Sequence, residues 1–189
     1  VPNVTTGSTS QFKVLNIEVE EKPTGEISAG AGIGTSGSQI GFSVTENNYL
    51  GKGIRLETSI NFAEEDLRGV IDIRNPNFMY SDRSLNTRFS STKTDRVIES
   101  GYKNSKTGAS VGTSYEQYED FFFSPNLEIY VEKLKTDLNA STTLKKQEGN
   151  YFDIDFNYNL VLDKRNSSYR ATDGYVSEFQ QKLPLVSEN

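Results

Sequence analysis

The carboxylates in the second half of the sequence are the residues best suited to chemistry. Asp153 and Asp155 lie two positions apart, and Glu128 and Glu132 lie four apart. Two carboxylates can hydrolyse a glycosidic bond, provided that they face each other across a cleft. Nothing in the sequence places either pair across a cleft, and a polar strand face is the simpler interpretation. We therefore predict no catalytic residue and no enzyme activity.

Two other patterns imitate ligand-binding loops. Asp153–Asn157 opens like a calcium loop, but the sixth position is Tyr158 rather than Gly and the twelfth is Lys164 rather than Glu. Gly32–Gly37 matches a glycine-rich nucleotide loop, which needs a helix after it, whereas a strand pattern follows here. The sequence has no Cys and no His, which excludes Cys/His metal sites and His-activated nucleophiles. We predict no metal and no cofactor.

Charge and composition narrow the class of protein. Lys and Arg number 20 against 26 Asp and Glu, a net charge of −6, which argues against nucleic acid as the partner. No apolar stretch approaches the roughly 18 residues that a membrane helix requires. The hydrophobic content of 34% is low, yet 10 Tyr and 11 Phe are too many for a disordered chain. The combination is typical of a β protein with apolar residues at every second position.

Apolar and polar residues alternate along most of the chain. Since successive side chains of a strand point to opposite faces, each alternating segment has one apolar and one polar face. No segment shows a 3.6-residue stripe, so we predict almost no helix. The alternation predicts nine strands, at Glu26–Gly34, Gln39–Glu46, Lys52–Phe62, Leu67–Arg74, Ser84–Thr92, Thr107–Glu116, Asn126–Leu134, Tyr151–Asp163 and Gly174–Leu185.

The strands of a soluble sandwich and those of a membrane barrel both show this alternation of apolar and polar residues. Sandwich strands average about five or six residues, whereas barrel strands that span a membrane need about 9–11. Lys52–Phe62 and Tyr151–Asp163 reach the greater length. Charged residues at mid-strand suit a polar lumen, and aromatic residues near strand ends resemble interfacial girdles. We therefore predict an all-β, antiparallel up-and-down meander that forms part of a transmembrane barrel, with a soluble β-sandwich interaction module as the alternative.

The barrel interpretation fixes the direction of side chains and the position of turns. Strands should pair in sequence order, and the turns at Asn47–Gly53, Asn75–Asp82 and Lys164–Gly174 should share one rim. The side chains expected to face lipid are Ile54, Leu56, Ile60, Ile154, Phe156, Tyr158 and Leu160. Those expected to face the interior are Arg55, Glu57, Asp72, Arg74, Asp153 and Asp155.

Four landmarks resemble the BamA family of bacterial outer-membrane assembly factors, in the POTRA-barrel (bacterial surface antigen) superfamily. Asn47–Gly53 is similar to the turn after that family's second barrel strand, and Asn75–Phe78 to the turn after its fourth. Leu162–Arg165 with Ala171–Gly174 resembles the turn before its ninth strand, and Phe12–Lys22 resembles the last strand of its POTRA domain. The turn residues that carry the resemblance are Asn48, Tyr49, Leu50, Gly51, Gly53, Asn75, Pro76, Phe78, Asp163, Arg165, Thr172, Asp173 and Gly174.

The resemblance implies how the chain is organised. Residues 1–22 would end the last periplasmic POTRA domain, and residues 23–189 would form the N-terminal half of an outer-membrane barrel. The family's barrel has more strands than the nine counted here, so we expect an incomplete, unclosed barrel. One departure from the family is Ala171, where the family usually has Pro, so the conformation of that turn is less well defined by the resemblance.

The first predicted barrel strand would form the lateral seam. It is rich in small residues, and Gly weakens strand pairing because it has no side chain to pack. Such a composition suits a strand that must separate sideways from its neighbour. An alternative that the sequence supports equally is that the small residues make room for a loop or plug inside the barrel. The predicted seam residues are Gly25, Glu26, Ile27, Ser28, Ala29, Gly30, Ala31, Gly32, Ile33 and Gly34.

The function implied by the resemblance is insertion of β-barrel precursors into the bacterial outer membrane by templating their strands at this seam. The partners implied are unfolded outer-membrane proteins, accessory outer-membrane lipoproteins and membrane lipid. The alternatives are a porin-like passive channel and a related translocator that secretes proteins. A soluble interaction module would be the third class.

Overall fold

In the computed structural model, residues 3–6, 13–34 and 37–188 are described. The chain begins with a small hairpin, in which β1 (Asn3–Thr6) pairs antiparallel with β2 (Lys13–Asn16). The strand that the resemblance implies over Phe12–Lys22 is therefore wrong in extent, since β2 ends at Asn16. Phe12 lies outside the described residues, and pairing ends where Asn3 meets Asn16, so the residues after Asn16 have no described partner strand.

Nine further strands form one antiparallel sheet. They are β3 (Gly25–Gly34), β4 (Gly37–Tyr49), β5 (Ile54–Ala63), β6 (Asp66–Asn75), β7 (Ser84–Arg96), β8 (Tyr102–Tyr118), β9 (Phe121–Thr136), β10 (Gly149–Asp163) and β11 (Val176–Glu188). Each strand pairs only with its neighbours in sequence, so the order across the sheet runs from β3 to β11. This confirms the predicted meander of nine strands, and the two end strands do not pair with each other to close it.

In the part of the chain that the structure describes, helix occurs only as short segments at the strand connections. α1 (Val97–Ser100) and α2 (Thr142–Lys146) lie at one rim, and a 3₁₀ turn at Phe78–Tyr80 lies at the other. Across the described part of the chain, none of the helices has the length and apolar character needed to cross a bilayer.

The strands in the middle of the sheet are longer than predicted. β7 continues to Arg96 and β8 begins at Tyr102, whereas the predicted strands end at Thr92 and begin at Thr107. Hydrophobic alternation ends before Lys93, but backbone pairing does not, because the Thr94–Asn104 and Arg96–Tyr102 partners continue the ladder. Alternation therefore identified the apolar part of each strand and missed the polar extension that reaches the rim.

The register divides apolar and polar residues between two faces. Leu56 lies opposite Ile73, and Phe156 lies opposite Leu127. On the other face, Glu57 lies opposite Asp72. The shared faces predicted from the sequence are therefore confirmed for both sets of residues; that the apolar set contacts lipid stays a prediction.

Within the described ranges, no second sheet covers the apolar face of the nine-stranded sheet. Phe42, Phe89 and Val131 on this face are 50%, 48% and 52% exposed. Ala140 is the only buried hydrophobic residue among those that the structure describes. A soluble sandwich would bury its apolar face between two sheets, so that alternative is wrong.

Candidate functional site

The strand predicted as the seam lies at an edge of the sheet. β3 pairs with β4 from Gly25–Glu46 to Gly34–Gly37, and no other described strand lies on its far side. An unpaired edge presents a row of backbone N–H and C=O groups, to which another strand can add. The predicted residues thus form one continuous edge that is available for pairing.

Few side-chain contacts hold β3 to its neighbour. Gly30 lies directly opposite Gly41, so this pair has no side chains at all. A Cβ built on Gly30 would find no atom within 4 Å. Since a cross-strand side-chain pair contributes roughly 0.2–1 kcal/mol, β3 depends mainly on its backbone hydrogen bonds. The larger residues of this strand contribute little, because Ile27 and Ile33 are 82% and 90% exposed.

A hollow lies beside the glycine pair. It has a volume of about 320 Å³ and is bordered by Gly30, Gly32, Gln39, Gly41 and Asn61 among others. The Asn61 side-chain oxygen would lie only 2.5 Å from a Cβ built on Gly41. Gly30 therefore leaves open space at the seam, whereas Asn61 fills the place that a side chain at Gly41 would take.

The beginning of β3 is held more firmly than its middle. The backbone N–H and side-chain amide of Asn47 both donate to the carbonyl oxygen of Thr24, at 3.2 and 2.9 Å. The Thr24 hydroxyl donates to the Glu46 carboxylate, which also accepts the N–H of Asn48 at 2.7 Å. This network ties one end of the seam to the adjacent turn, so the weakly held part begins further along the strand.

Sequence reasoning missed Thr24, Glu46 and Asn61. Thr24 and Glu46 are 22 positions apart, and no local pattern links them. Gly41 and Asn61 meet only because of the register between β4 and β5. Only knowledge of that register could have identified these residues.

The first family-like turn is closed by its own residues. The Asn48 side-chain oxygen accepts the N–H of Gly53 at 2.7 Å, and the Asn48 carbonyl oxygen accepts the N–H of Gly51 at 2.9 Å. Gly51 and Gly53 have φ values of +69° and +66°, a region that favours glycine. Leu50, at φ 58°, also adopts this region. Because β4 extends through Tyr49, the turn is shorter than the predicted Asn47–Gly53.

The second turn is the connection between β6 and β7. The Asn75 side-chain oxygen accepts the N–H of Asn77 at 3.2 Å, and the N–H of Phe78 donates to the carbonyl oxygen of Arg83 at 2.8 Å. The Arg83 guanidinium lies 4.8 Å from the centre of the Tyr115 ring. Of the predicted residues, Asn75 and Phe78 therefore close this turn by hydrogen bonds, and Pro76 lies between them.

The third turn, between β10 and β11, has the densest hydrogen bonding. Asp163 accepts from the Arg165 guanidinium at 2.8 and 2.6 Å, and this hydrogen bonding raises the pKa of Arg165. The Asn166 side chain donates to the hydroxyl of Thr172 at 2.8 Å, and its backbone N–H donates to the carbonyl oxygen of Asp173 at 3.1 Å. Asn166 therefore crosses the turn to Thr172 and Asp173, two of the residues that carry the resemblance, whereas the Asp163–Arg165 contact stays on one side of the turn.

Gly174 is the one position in this turn where only glycine fits. Its φ is +94°, and a Cβ built there would lie 2.1 Å from the Lys164 carbonyl oxygen. The Lys164 ammonium donates to Asp120 of the neighbouring β8–β9 turn at 2.9 Å, which raises the pKa of Lys164. The turn is thereby joined to the next connection along the rim.

All three turns lie at the rim where β3 begins. Because nine strands alternate in direction, the connections after β4, β6 and β10 fall at the same end of the sheet. This confirms the prediction that they share one rim. That this rim is periplasmic stays a prediction.

The acidic residues whose spacing imitates a calcium loop lie in a strand of the sheet, β10. Asp153, Asp155 and Asn157 lie within one continuous strand, so they do not wrap around an ion. Asp155 lies directly opposite Glu128 on the same face and is only 2% exposed, with the Lys182 ammonium 2.6 Å from its carboxylate. No metal-binding group of three acidic residues occurs in the described ranges.

The nucleotide-loop motif also has a structural explanation. Gly37 begins β4 rather than a helix, at a φ of +83°. Thr35 and Ser36 of this motif lie outside the described residues. A pyrophosphate site of this class needs a helix N-terminus after the glycines, and β4 occupies that place.

Comparison with known protein families matches residues 48–188 to the Omp85 superfamily domain. Among solved structures, the chain is similar to the crystal structure of BamA from Haemophilus ducreyi lacking POTRA domains 1–3. That similarity has a TM-score of 0.70 at 20% sequence identity, and it covers 98% of this chain and 39% of the other. No curated protein matches the sequence.

Proposed function

Because this chain belongs to the Omp85 superfamily of outer-membrane insertases and translocators, we propose that it inserts β-barrel precursors by templating their strands on the β3 edge. The observation that carries the proposal is the unpaired edge of β3 together with the Gly30–Gly41 pair behind it. The chain spans 39% of the similar structure, so the activity of the whole barrel is part of this proposal.

The chemistry of templating requires only backbone groups. A precursor strand would donate and accept backbone hydrogen bonds along β3. Each bond satisfies a backbone N–H or C=O group that would otherwise be unpaired in lipid. No nucleotide and no catalytic side chain takes part. A strand with small side chains accepts many sequences, because it imposes few side-chain pockets on its partner.

The exposed apolar face supports placement in a bilayer. Its central part carries apolar or small uncharged side chains, as the row Ile60–Gly69–Ser91–Thr107–Val131 illustrates. The charged residues of the strand centres, including the Arg88–Asp72 ion pair, lie on the opposite face and would line the lumen. In this arrangement Ile54, Leu56, Ile60, Ile154, Phe156, Tyr158 and Leu160 contact lipid.

The organisation and partners follow from this placement. Residues 1–22 belong to a periplasmic domain and residues 23–189 to the barrel, so the β1–β2 hairpin lies in the periplasm. The rim that carries the three family-like turns would then face the periplasm. Unfolded outer-membrane proteins are the substrates, and accessory lipoproteins bind the assembled complex.

A row of three serines allows a sharp test. Ser28 on β3, Ser43 on β4 and Ser59 on β5 lie directly opposite one another, at the edge and then successively deeper in the sheet. The chain has no cysteine, so S28C, S43C and S59C each introduce a single thiol by the same small change. Adjacent strands bring Cα atoms about 4.5–5.5 Å apart, within the range that a disulfide spans.

In the assay, a precursor with one cysteine in its terminal strand is offered to each variant during insertion under mild oxidation. Templating on β3 predicts a strong disulfide with S28C and none with S59C, which is shielded by two strands. A product with S43C would show that β3 itself is displaced. Equal products with S28C and S59C, or no product with S28C while insertion proceeds normally, would contradict the proposal and favour a passive channel.

A further inference from the structure

Four lysines interrupt the apolar face near the rim opposite the family-like turns. They are Lys93 on β7, Lys103 on β8, and Lys133 and Lys135 on β9, and all are exposed. The register places them on the apolar face rather than the polar one, because Leu67 lies opposite Lys93 and Ser105 lies between Lys93 and Lys133. We call these four residues the lysine patch.

The patch lies just beyond the apolar band. The row Lys93–Ser105–Lys133 follows directly after the row Ser91–Thr107–Val131. In a barrel that spans a bilayer, this is the depth at which the hydrocarbon ends and the headgroups begin. Long lysine side chains can lie along the apolar surface and extend their ammonium groups into that layer.

The positive charge of the patch is largely uncompensated. Lys103 lies directly opposite Lys135, and like charges in such a pair destabilise a sheet. Among the described residues, only Lys103 of the four has a carboxylate in ion-pair range, that of Asp95 at 2.6 Å. The patch therefore retains about three positive charges on a chain whose net charge is −6.

The acidic residues close by are engaged with other groups. Glu65 and Asp66 approach Arg96 at 3.5 and 3.9 Å, and the Glu64 carboxylate accepts the N–H of Ser38 at 3.3 Å. None of these three carboxylates lies within ion-pair distance of a patch lysine among the described residues. An anion from outside the chain would therefore relieve the repulsion within the patch.

A hollow of suitable size lies between the patch and the apolar band. Its volume is about 470 Å³, and its lining includes all four lysines together with Phe62 and Leu67. The lining also includes the carboxylates of Glu64, Glu65, Asp66 and Asp95, of which Asp95 is paired with Lys103 and two others approach Arg96. Lys93, Lys133 and Lys135 therefore supply its unpaired cations, and Phe62 and Leu67 supply an apolar wall. This combination fits an amphiphile with an anionic head and a hydrocarbon tail better than it fits a small soluble anion.

We propose that the lysine patch binds the phosphate-bearing headgroup of an anionic lipid in the leaflet at this rim. The phosphate accepts hydrogen bonds from the lysine ammonium groups, while the acyl chains lie along the apolar band below them. The proposal rests on the bilayer placement of the sheet and does not depend on strand templating at β3.

The test compares K133Q/K135Q with a matched control, K52Q/K146Q. The control removes the same charge from exposed lysines outside the patch, one in the β4–β5 turn and one in α2. The protein in non-ionic detergent is titrated with phosphatidic acid or with phosphatidylcholine of the same acyl chains, and bound lipid is counted by native mass spectrometry. A third variant, K133R/K135R, retains the charge.

A basic residue near a lipid surface changes affinity about fivefold, so K133Q/K135Q should bind phosphatidic acid about 30-fold more weakly than the parent protein. The control and K133R/K135R should bind it as the parent does, and phosphatidylcholine binding should not change. Unchanged phosphatidic acid binding by K133Q/K135Q, or an equal loss in the control, would overturn the proposal. Displacement of the lipid by equimolar inorganic phosphate would also overturn it, since the patch would then be a small-anion site.

Because no precursor is present in this titration, its result is independent of the S28C experiment. Loss of the S28C disulfide with specific lipid binding intact would refute templating alone. Normal templating with no lipid selectivity would refute the lysine patch alone.

Discussion

The replacement of Gly30 by valine should strengthen the seam and slow insertion. A Cβ at Gly30 meets no atom within 4 Å, so the larger side chain enters open space beside Gly41. Glycine in a strand costs roughly 0.5–1 kcal/mol relative to alanine, and β-branched residues are favoured further. G30V should therefore stabilise the β3–β4 pairing by about 0.5–1 kcal/mol, which lowers the open population about two- to fivefold.

The measurement is hydrogen–deuterium exchange of the β3 amides in lipid, alongside the rate of precursor insertion. The matched control is G69V, because a Cβ at Gly69 also meets nothing within 4 Å but β6 is paired on both sides. Exchange in β3 should slow two- to fivefold in G30V and stay unchanged in G69V, and insertion should slow only in G30V. If G30V leaves β3 exchange at the parental rate, the absence of side chains is not what weakens the seam. If exchange slows and insertion does not, opening of this strand does not limit the activity.

Two further predictions concern the stability of the sheet, measured by urea unfolding in lipid vesicles. G174A should destabilise the protein by about 1–3 kcal/mol, because the new Cβ would lie 2.1 Å from a backbone carbonyl oxygen, whereas G53A, with nothing within 4 Å, should cost less. Equal losses in the two variants would show that φ alone, and not the close approach, constrains Gly174. K182M should destabilise by about 1–3 kcal/mol because it leaves the buried carboxylate of Asp155 without its cation, and adding D155N should restore most of this loss. An unchanged midpoint in K182M would mean that solvent already satisfies that carboxylate.

The fold could be predicted because alternation reports directly on which residues share a face. Ile60 and Phe42 are far apart in sequence, yet the sheet pairs them on the apolar side as the period of two requires. The ends of the strands were less predictable. In β7–β9 the polar extensions are held by backbone ladder bonds, which leave no mark in the pattern of hydrophobicity.

The candidate site was predicted in part for the same reason. Composition identified Gly25–Gly34 as a weakly packing strand, and the structure places it at an edge. The Gly30–Gly41 pair and the Thr24–Glu46 contact depend on register, which a single sequence does not encode locally. The lysine patch was missed because its members are spread over three strands and meet only across the sheet.

The distribution of side-chain contacts explains why opening should concentrate at β3. At the other side of the sheet, Phe123 packs against Tyr115 and Tyr158, with ring centres 5.9 and 6.2 Å apart, and Tyr158 packs against Phe179 at 6.1 Å. That series of rings joins four adjacent strands, β8 to β11, so separating any two of them removes aromatic contacts as well as backbone hydrogen bonds.

Between β3 and β4 the corresponding cost is lower, since the central pair consists of two glycines. Thr24 and Glu46 anchor the beginning of β3, which means that the strand should open from its far end toward the anchored turn. A precursor strand would still add to the unpaired outer edge of β3, which becomes more mobile toward its far end. Because aromatic contacts join β8 to β11 and a glycine pair lies between β3 and β4, strand separation should begin at β3. It requires movement of this edge strand alone.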